Sequence, residues 1–395
     1  MQRIRLASIG MGARGGLLQH AHRPDNGSAI VALADIHAPC RAKFLERYGA
    51  DAFVTDDYRR LLDHRDIDAV FVLSPDYLHE EHAIAALEAG KVVYLEKPMA
   101  ITLGGCDRIL ETACRTKGRL LVGHNMRHHA VVRKMREVIQ SGAIGEVQAG
   151  WCRHFVGYGG DFYFKDWHAE RAKTTGLLLQ KASHDLDVLH WLCGGYTTRA
   201  AAFGNLRVYN RIRDRHDPSE RGDYAPRLEN WPPLSQKGMN PVIDVEDLSM
   251  MLMELDNGVM CSYQQCHYTP DVWRNYTIIG TEGRIENFGD RPGECVVRLW
   301  NRRTLYNPYG DEQYFVPAAT GGHGGADPLI VSEFLSLVRG GTITISPIAA
   351  RNSVAAGYLA TQSLRSGGTP MDVPPASKKT VEYFERFMAK DSGLG

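Results

Sequence analysis

The segment Gly10-Met11-Gly12-Ala13-Arg14-Gly15 follows directly on an apolar run at residues 3–9 and opens a helical pattern. No other feature of the chain restricts its fold as strongly. In the spacing G-x-G-x-x-G, Gly10 permits a tight turn and Gly12 lets backbone approach a pyrophosphate. Gly15 lets helix and strand pack closely. The phosphates then face a helix N-terminus, where free N–H groups favour anions. Asp35 closes the second apolar strand, residues 28–34, with Ile36 beside it. A carboxylate there accepts hydrogen bonds from ribose hydroxyls and repels a 2′-phosphate. Residues 10–15, Asp35 and Ile36 are therefore expected to bind NAD rather than NADP.

The pattern beyond Asp35 keeps alternating. Apolar strands at 69–73, 92–95 and 120–122 are separated by helical stretches at 41–48, 58–62, 80–89 and 103–116. Nearly all-apolar strands between helices predict a doubly wound parallel sheet of Rossmann type, covered on both faces. From residue 147 the strands become longer and amphipathic, at 147–155, 199–208, 247–254, 259–267, 275–280 and 284–287. They predict a C-terminal α/β domain with an open, largely antiparallel sheet. A helix over 348–365 closes the pattern. The expected division is 1–125 for NAD and 126–395 for substrate binding and oligomerisation, since 395 residues exceed one ordinary core. The polar stretch 209–241 is too long for a simple connection and reads as either a lid or a disordered loop.

Charge and cysteine content exclude several classes. The 46 basic and 46 acidic residues cancel, which argues against nucleic-acid or membrane partners. No apolar run approaches the roughly 18 residues of a spanning helix, and the chain enters a strand pattern without room for a leader. Its eight cysteines form no C-x-x-C pair, so neither a metal site nor a disulfide framework is expected. The expectation is a cytoplasmic protein.

Later motifs carry a family resemblance. Ser74-Pro75-Asp76-Tyr77-Leu78-His79 and Glu96-Lys97-Pro98 each follow a strand. Gly123-His124-Asn125-Met126-Arg127 comes next, and His184-Asp185-Leu186-Asp187 opens a helix containing Trp191-Leu192. With the glycine motif, the chain resembles the Gfo/Idh/MocA oxidoreductases over essentially its whole length, to Ser363 in the closing helix. The resemblance implies that Ser74, Pro75, His79, Glu96, Lys97 and Asn125 face the cofactor, with Glu96 near the nicotinamide ribose and the Lys97–Pro98 peptide cis. It also implies catalytic roles for Lys97 and His184. Oxidising an alcohol needs a base for the hydroxyl proton and a cation for the developing alkoxide. Lys97 stands at a parallel-strand end, where such sheets bind ligands, and a histidine titrates near neutrality. The lesser alternative for His184 is a helix-start histidine satisfied by neighbouring backbone. Asp187, one turn on, either orients it or braces the helix.

The chain departs from the family at one place. Where many members carry Asp four residues before the histidine, it has Gln180, followed by Lys181. An amide cannot take a proton. Lys181 either meets an anionic substrate group or points to solvent. Residues 153–173 are dense in His154, Tyr158, Tyr163, Trp167, His168 and Arg171, which suits a sugar ring or an interface. Arg127, Tyr158, Tyr163, Trp167, Gln180, Lys181, His184 and His323, with its neighbouring glycines, are the expected substrate residues; His267 and Tyr268 could line the same cleft. The expected reaction is hydride transfer between NAD and a secondary hydroxyl of a sugar, polyol or glycoside, in a homo-oligomer (dimer or tetramer). Two alternatives stay open. One is an NAD-dependent glycoside hydrolase working by C3 oxidation, elimination, water addition and re-reduction; the other is a non-enzymatic NAD-binding regulator.

Overall fold

The computed structural model describes residues 3–220 and 225–389. Six parallel strands form the first sheet: β1 (Ile4–Ile9), β2 (Ser28–Ala34), β3 (Phe53–Thr55), β4 (Ala69–Val72), β5 (Val92–Leu95) and β6 (Leu120–Val122). Their order is β3-β2-β1-β4-β5-β6. Residues in β4 are buried on both faces, as a parallel sheet between helix layers requires. The order reverses between β1 and β4, and the crevice beyond their C-terminal ends is where such sheets take ligands. The helix Leu103–Thr116 shows how local sequence builds a covering layer. The Thr102 side chain caps the N–H of Gly105, and Cys106, Ile109, Leu110 and Ala113 turn one stripe to the sheet.

The second sheet has nine strands: β7 (Val147–Val156), β8 (Thr197–Asn205), β9 (Leu248–Leu255), β10 (Met260–Cys266), β11 (Val272–Gly280), β12 (Arg284–Phe288), β13 (Val296–Trp300), β14 (Glu312–Phe315) and β15 (Met371–Asp372). They run in the order β14-β13-β12-β11-β7-β10-β9-β8-β15. Neighbours are antiparallel except β7 and β10. The sheet is thus mixed, though mostly antiparallel as expected. In β9, Met251, Met253 and Leu255 turn inward while Met250 and Leu252 face out. The helices Ala130–Gln140, Ser183–Cys193 and Pro347–Arg365 cover the inner face.

Two late helices complete the cores. Ala326–Val338 packs Ile330, Val331, Phe334 and Leu335 onto the first sheet, against Leu6, Phe71 and Tyr94. Pro347–Arg365, capped by Ser346, inserts Ile348, Ala350 and Val354 into the core of the first sheet. On its other face Ala355, Ala356 and Ala360 enter the core of the second.

The long polar stretch is folded where it is described. Tyr209 donates to the carbonyl of His267 at 2.6 Å, Asp247 accepts the N–H of Val208 at 2.7 Å, and Arg215 donates to the carbonyl of Asn240 at 3.0 Å. The part of the 209–241 expectation that falls on 221–224 lies outside the described residues. Among the described residues no helix is long and apolar enough to cross a membrane.

Candidate active site

The glycine turn after β1 is shaped by contacts that fix two of its glycines. Gly10 has φ +87°, and a Cβ there would stand 2.8 Å from the Leu73 carbonyl oxygen; at Gly15 one would stand 2.7 Å from the Met11 side chain. At Gly12 nothing lies within 4 Å of a Cβ position, so its bare backbone faces open space. That is the fit a pyrophosphate needs. Asp35 accepts the N–H of Met11 at 2.9 Å and of His37 at 2.8 Å, tying the end of β2 to the turn. Ala13 and Ile36 are exposed there.

Arg14 reaches inward from this turn. Its guanidinium donates to Asp327 at 2.9 and 3.1 Å, and Nε lies 3.4 Å from Glu96. Asn125 donates to Asp327 at 2.7 Å, leaving its own Oδ1 buried without a partner. His323 and Arg14 hold the Asp327 carboxyl well below the usual carboxylate range, overcoming the opposing effect of its burial. His323 Nδ1 lies 3.0 Å from both Arg14 and Asp327. The His323 ring stands beside the glycine turn, and its charge also acts on His184.

The Ser74–His79 motif braces the next strand ends. His79 is fully buried, with its ring nitrogens 2.7 Å from the Pro98 carbonyl and 2.9 Å from the Ser74 carbonyl. It holds the turn in place and has no nitrogen left for a ligand, which corrects its expected cofactor role. Ser74 Oγ pairs with His82 at 2.9 Å, while Ser74 and Pro75 remain partly exposed at the crevice. The Lys97–Pro98 peptide is cis.

Around Lys97 the structure assembles residues far apart in sequence. Nζ donates to the Gln180 carbonyl at 3.2 Å. The side-chain amide of Gln180 faces the buried Asp76 and favours its charged form, while Asp76 Oδ2 has no hydrogen-bond partner. Burial pushes the Asp76 carboxyl up to about 6, against the pull of His79 and Lys97. Burial lowers the Lys97 ammonium, which Tyr163 and Asp76 partly restore. Asp76, from the turn after β4, thus brings a carboxyl beside Gln180 and Lys97.

A wall of rings surrounds this pair. His168 stacks on Trp167 at 3.7 Å and meets Tyr163 edge-on at 5.5 Å, and His267 meets Tyr163 at 5.3 Å. Trp167 reaches Tyr77 at 5.9 Å. Burial pushes His168 down to about 3, with Lys97 and Lys181 adding to the effect. His184 is buried, its ring 5.9 Å from that of His124, and its Nδ1 has no partner. Burial and the nearby Lys97 hold it well below the usual histidine range. Lys181 stands 5.2 Å over the Tyr163 ring.

Behind the wall, Asp185 accepts from Tyr263 at 3.1 Å and from Tyr276, with Arg274 Nε 2.8 Å and His154 Nδ1 2.9 Å away. Arg127, expected at the substrate, is instead buried and donates twice to Asp187 at 2.8 Å. Asp187 therefore braces the Ser183–Cys193 helix to the turn Asn125–His128. Arg171 pairs with Glu246 at 2.9 Å, and Tyr158 stands exposed on a turn.

Asp76, Asp185, Arg274 and Asp327 were not singled out from sequence. Asp76 follows a proline at a helix start, where Asp reads as a cap. Arg274 did carry a signal: it shares the inward parity of Tyr276 and Ile278 on β11. For Asp327 there was none.

Residues 4–124 match the family model described as an oxidoreductase family with an NAD-binding Rossmann fold, and residues 132–286 match the GFO/IDH/MocA C-terminal domain. The inositol 2-dehydrogenase/D-chiro-inositol 3-dehydrogenase of Shouchella clausii is 34% identical over 316 residues, 76% of this chain and 79% of that one. Levoglucosan dehydrogenase in complex with NADH and levoglucosan superposes with TM-score 0.74 at 22% identity, covering 94% and 100% of the two chains. Aldose-aldose oxidoreductase from Caulobacter crescentus gives 0.70 at 18%, covering 94% and 100%. At such identities these two structures show the shared fold alone.

Proposed function

The chain belongs to the Gfo/Idh/MocA oxidoreductases and is an NAD-dependent enzyme of that family; from that premise we propose that it oxidises a secondary hydroxyl of a cyclic sugar, polyol or glycoside. NAD supplies the hydride acceptor when bound. The turn Gly10–Gly15 cradles its phosphates, Asp35 and Ile36 meet the adenosine, and Ser74, Pro75, Glu96 and Asn125 face the nicotinamide half.

The observation that carries the reading is Lys97, held on the Gln180 carbonyl with Asp76 and Tyr163 about it and His184 nearby. Its ammonium stabilises the negative charge that develops on the substrate oxygen. His184 is kept neutral by burial, the form that accepts a proton. Asp76 supplies the negative charge that Gln180 cannot, and Gln180 links it to Lys97. Tyr163, Trp167 and His168 offer ring faces and edges to a sugar.

The test is incubation with NAD and a panel of sugars, inositols and aryl glycosides, following NADH absorbance and aglycone release together. Steady NADH formation that disappears in Lys97→Ala supports the reading. If NAD binds and no substrate gives NADH or aglycone, the reading fails. One observation favours a second outcome: His168 and His267 bring buried ring nitrogens without partners to the wall of rings, more polar groups than one oxidation uses. Aglycone release without net NADH would assign a redox-neutral glycoside hydrolase.

Phe203, Met250, Leu252 and Phe315 expose apolar surface on the outer face of the nine-stranded sheet, which supports a homo-oligomer. Solution mass checks this. The eight free cysteines fit a reducing compartment such as the cytoplasm.

A further inference from the structure

Lys181 lies on the turn between the helices Leu177–Gln180 and Ser183–Cys193. Gln180, which carries Lys97, immediately precedes it, and His184 follows one turn later. Its ammonium and that of Lys97 both act on the Tyr163 phenol region of the cleft. The other cations around the cleft have close partners. Arg14 has Asp327, Arg127 has Asp187, Arg274 has Asp185, and Lys97 has the Gln180 carbonyl.

Lys181 differs. Among the described residues no carboxylate stands within 4 Å of its Nζ, and no acceptor is within hydrogen-bond distance; its one close contact is the Tyr163 ring. Asp185 and Asp290 attract it from farther off, but both already face Arg274, at 2.8 and 3.8 Å. Arg274 itself repels it, and burial with that repulsion pushes the Lys181 ammonium down to about 7. Lys181 is half-buried with its Nζ open to the cleft, and hydroxyl groups alone do not neutralise its charge. A monoanion does.

The surrounding atoms describe the rest of the ligand. Nδ1 of His168, Nδ1 of His184, both ring nitrogens of His267 and Oε1 of Gln180 are buried without partners. Those groups suit hydroxyls. One free ammonium matches a single negative charge, whereas a phosphate dianion would need a second cation, and Arg274 already has two carboxylates.

We propose that the substrate is a sugar acid, a ring bearing one carboxylate, and that this carboxylate pairs with the ammonium of Lys181. The inference rests on the carbohydrate reading above and narrows it.

The test uses the full-length protein saturated with NADH, titrated calorimetrically with the matched pairs D-glucuronate/D-glucose and D-galacturonate/D-galactose; turnover of the same four compounds is then followed with NAD. At least one acid should bind more tightly than its neutral partner by about tenfold or more, the gain expected of a charge-assisted hydrogen bond. That preference should fall to near one in Lys181→Gln and persist in Lys181→Arg. NADH affinity, measured on each variant, reports that the fold is intact. Neutral sugars binding or turning over as well as the acids would overturn the inference and leave the carbohydrate reading standing. Equal weakening of acid and neutral sugar in Lys181→Gln would also overturn it. No binding or turnover of any of the four would overturn the inference, and failure across the wider panel would overturn the reading beneath it.

Discussion

Asp76 and Lys97 share one buried pocket with the amide of Gln180 beside them, so each sets the protonation of the other. Asp76 is ionised above about 6, and only then does its charge support the ammonium. Turnover should therefore fall as pH drops through 6. In Asp76→Asn that acid limb should vanish and kcat should lie on the order of 10²-fold lower, the scale of losing one electrostatic contributor to the transition state. A kcat profile from pH 5 to 8 decides; an unchanged limb in the variant would assign it to another group. Asp35 supports a different prediction. Asp35→Ala removes the acceptor for two backbone N–H groups and the charge that repels a 2′-phosphate. NAD should bind at least about tenfold more weakly, with the NAD-to-NADP affinity ratio falling, as read by fluorescence titration. Asp35 was legible in the sequence because its spacing from the glycines carries its meaning. The link between Asp76 and Gln180 joins separate elements, and no local pattern encodes it.

Among the elements, the helix Ala326–Val338 contributes most from farthest away. Phe334 is fully buried, 4.9 Å from Phe71 and 5.5 Å from Tyr94, and the Tyr94 hydroxyl faces Glu96 at 3.4 Å. Phe334→Ala should cost about 3–5 kcal/mol of stability in denaturant unfolding. It should also weaken NAD binding, because Tyr94 and Glu96 lose their support. This helix escaped sequence reading because Ala-Asp-Pro-Leu-Ile-Val-Ser-Glu-Phe-Leu-Ser-Leu-Val is apolar nearly all round and shows little periodicity. Leu103–Thr116, with a capping Thr102 and one apolar stripe, matched its predicted span. The short strands β13, β14 and β15 give too few residues for alternation to register.

At the scale of the whole molecule, Pro347–Arg365 enters both cores, so the two sheets should unfold together. The folded interior also keeps many histidines uncharged. Burial pushes His154 and His168 down to about 3, and His82, His129 and His190 down to about 4. Unfolded, each returns to about 6.5. Between these values the unfolded chain binds more protons than the folded one, so stability falls as pH drops below about 6.5. By pH 5 each such histidine costs about 2 kcal/mol. Asp76 acts in the opposite sense: its folded value of about 6 lies above the unfolded 3.8, so it adds stability as pH falls through that window. One carboxyl does not offset five histidines. Calorimetric scans without cofactor should therefore show one transition whose Tm is steady above pH 7 and drops by several degrees between pH 6.5 and 5. A flat Tm over that window would mean that the histidines are hydrated, which would also remove the dry, neutral proton acceptor assigned to His184.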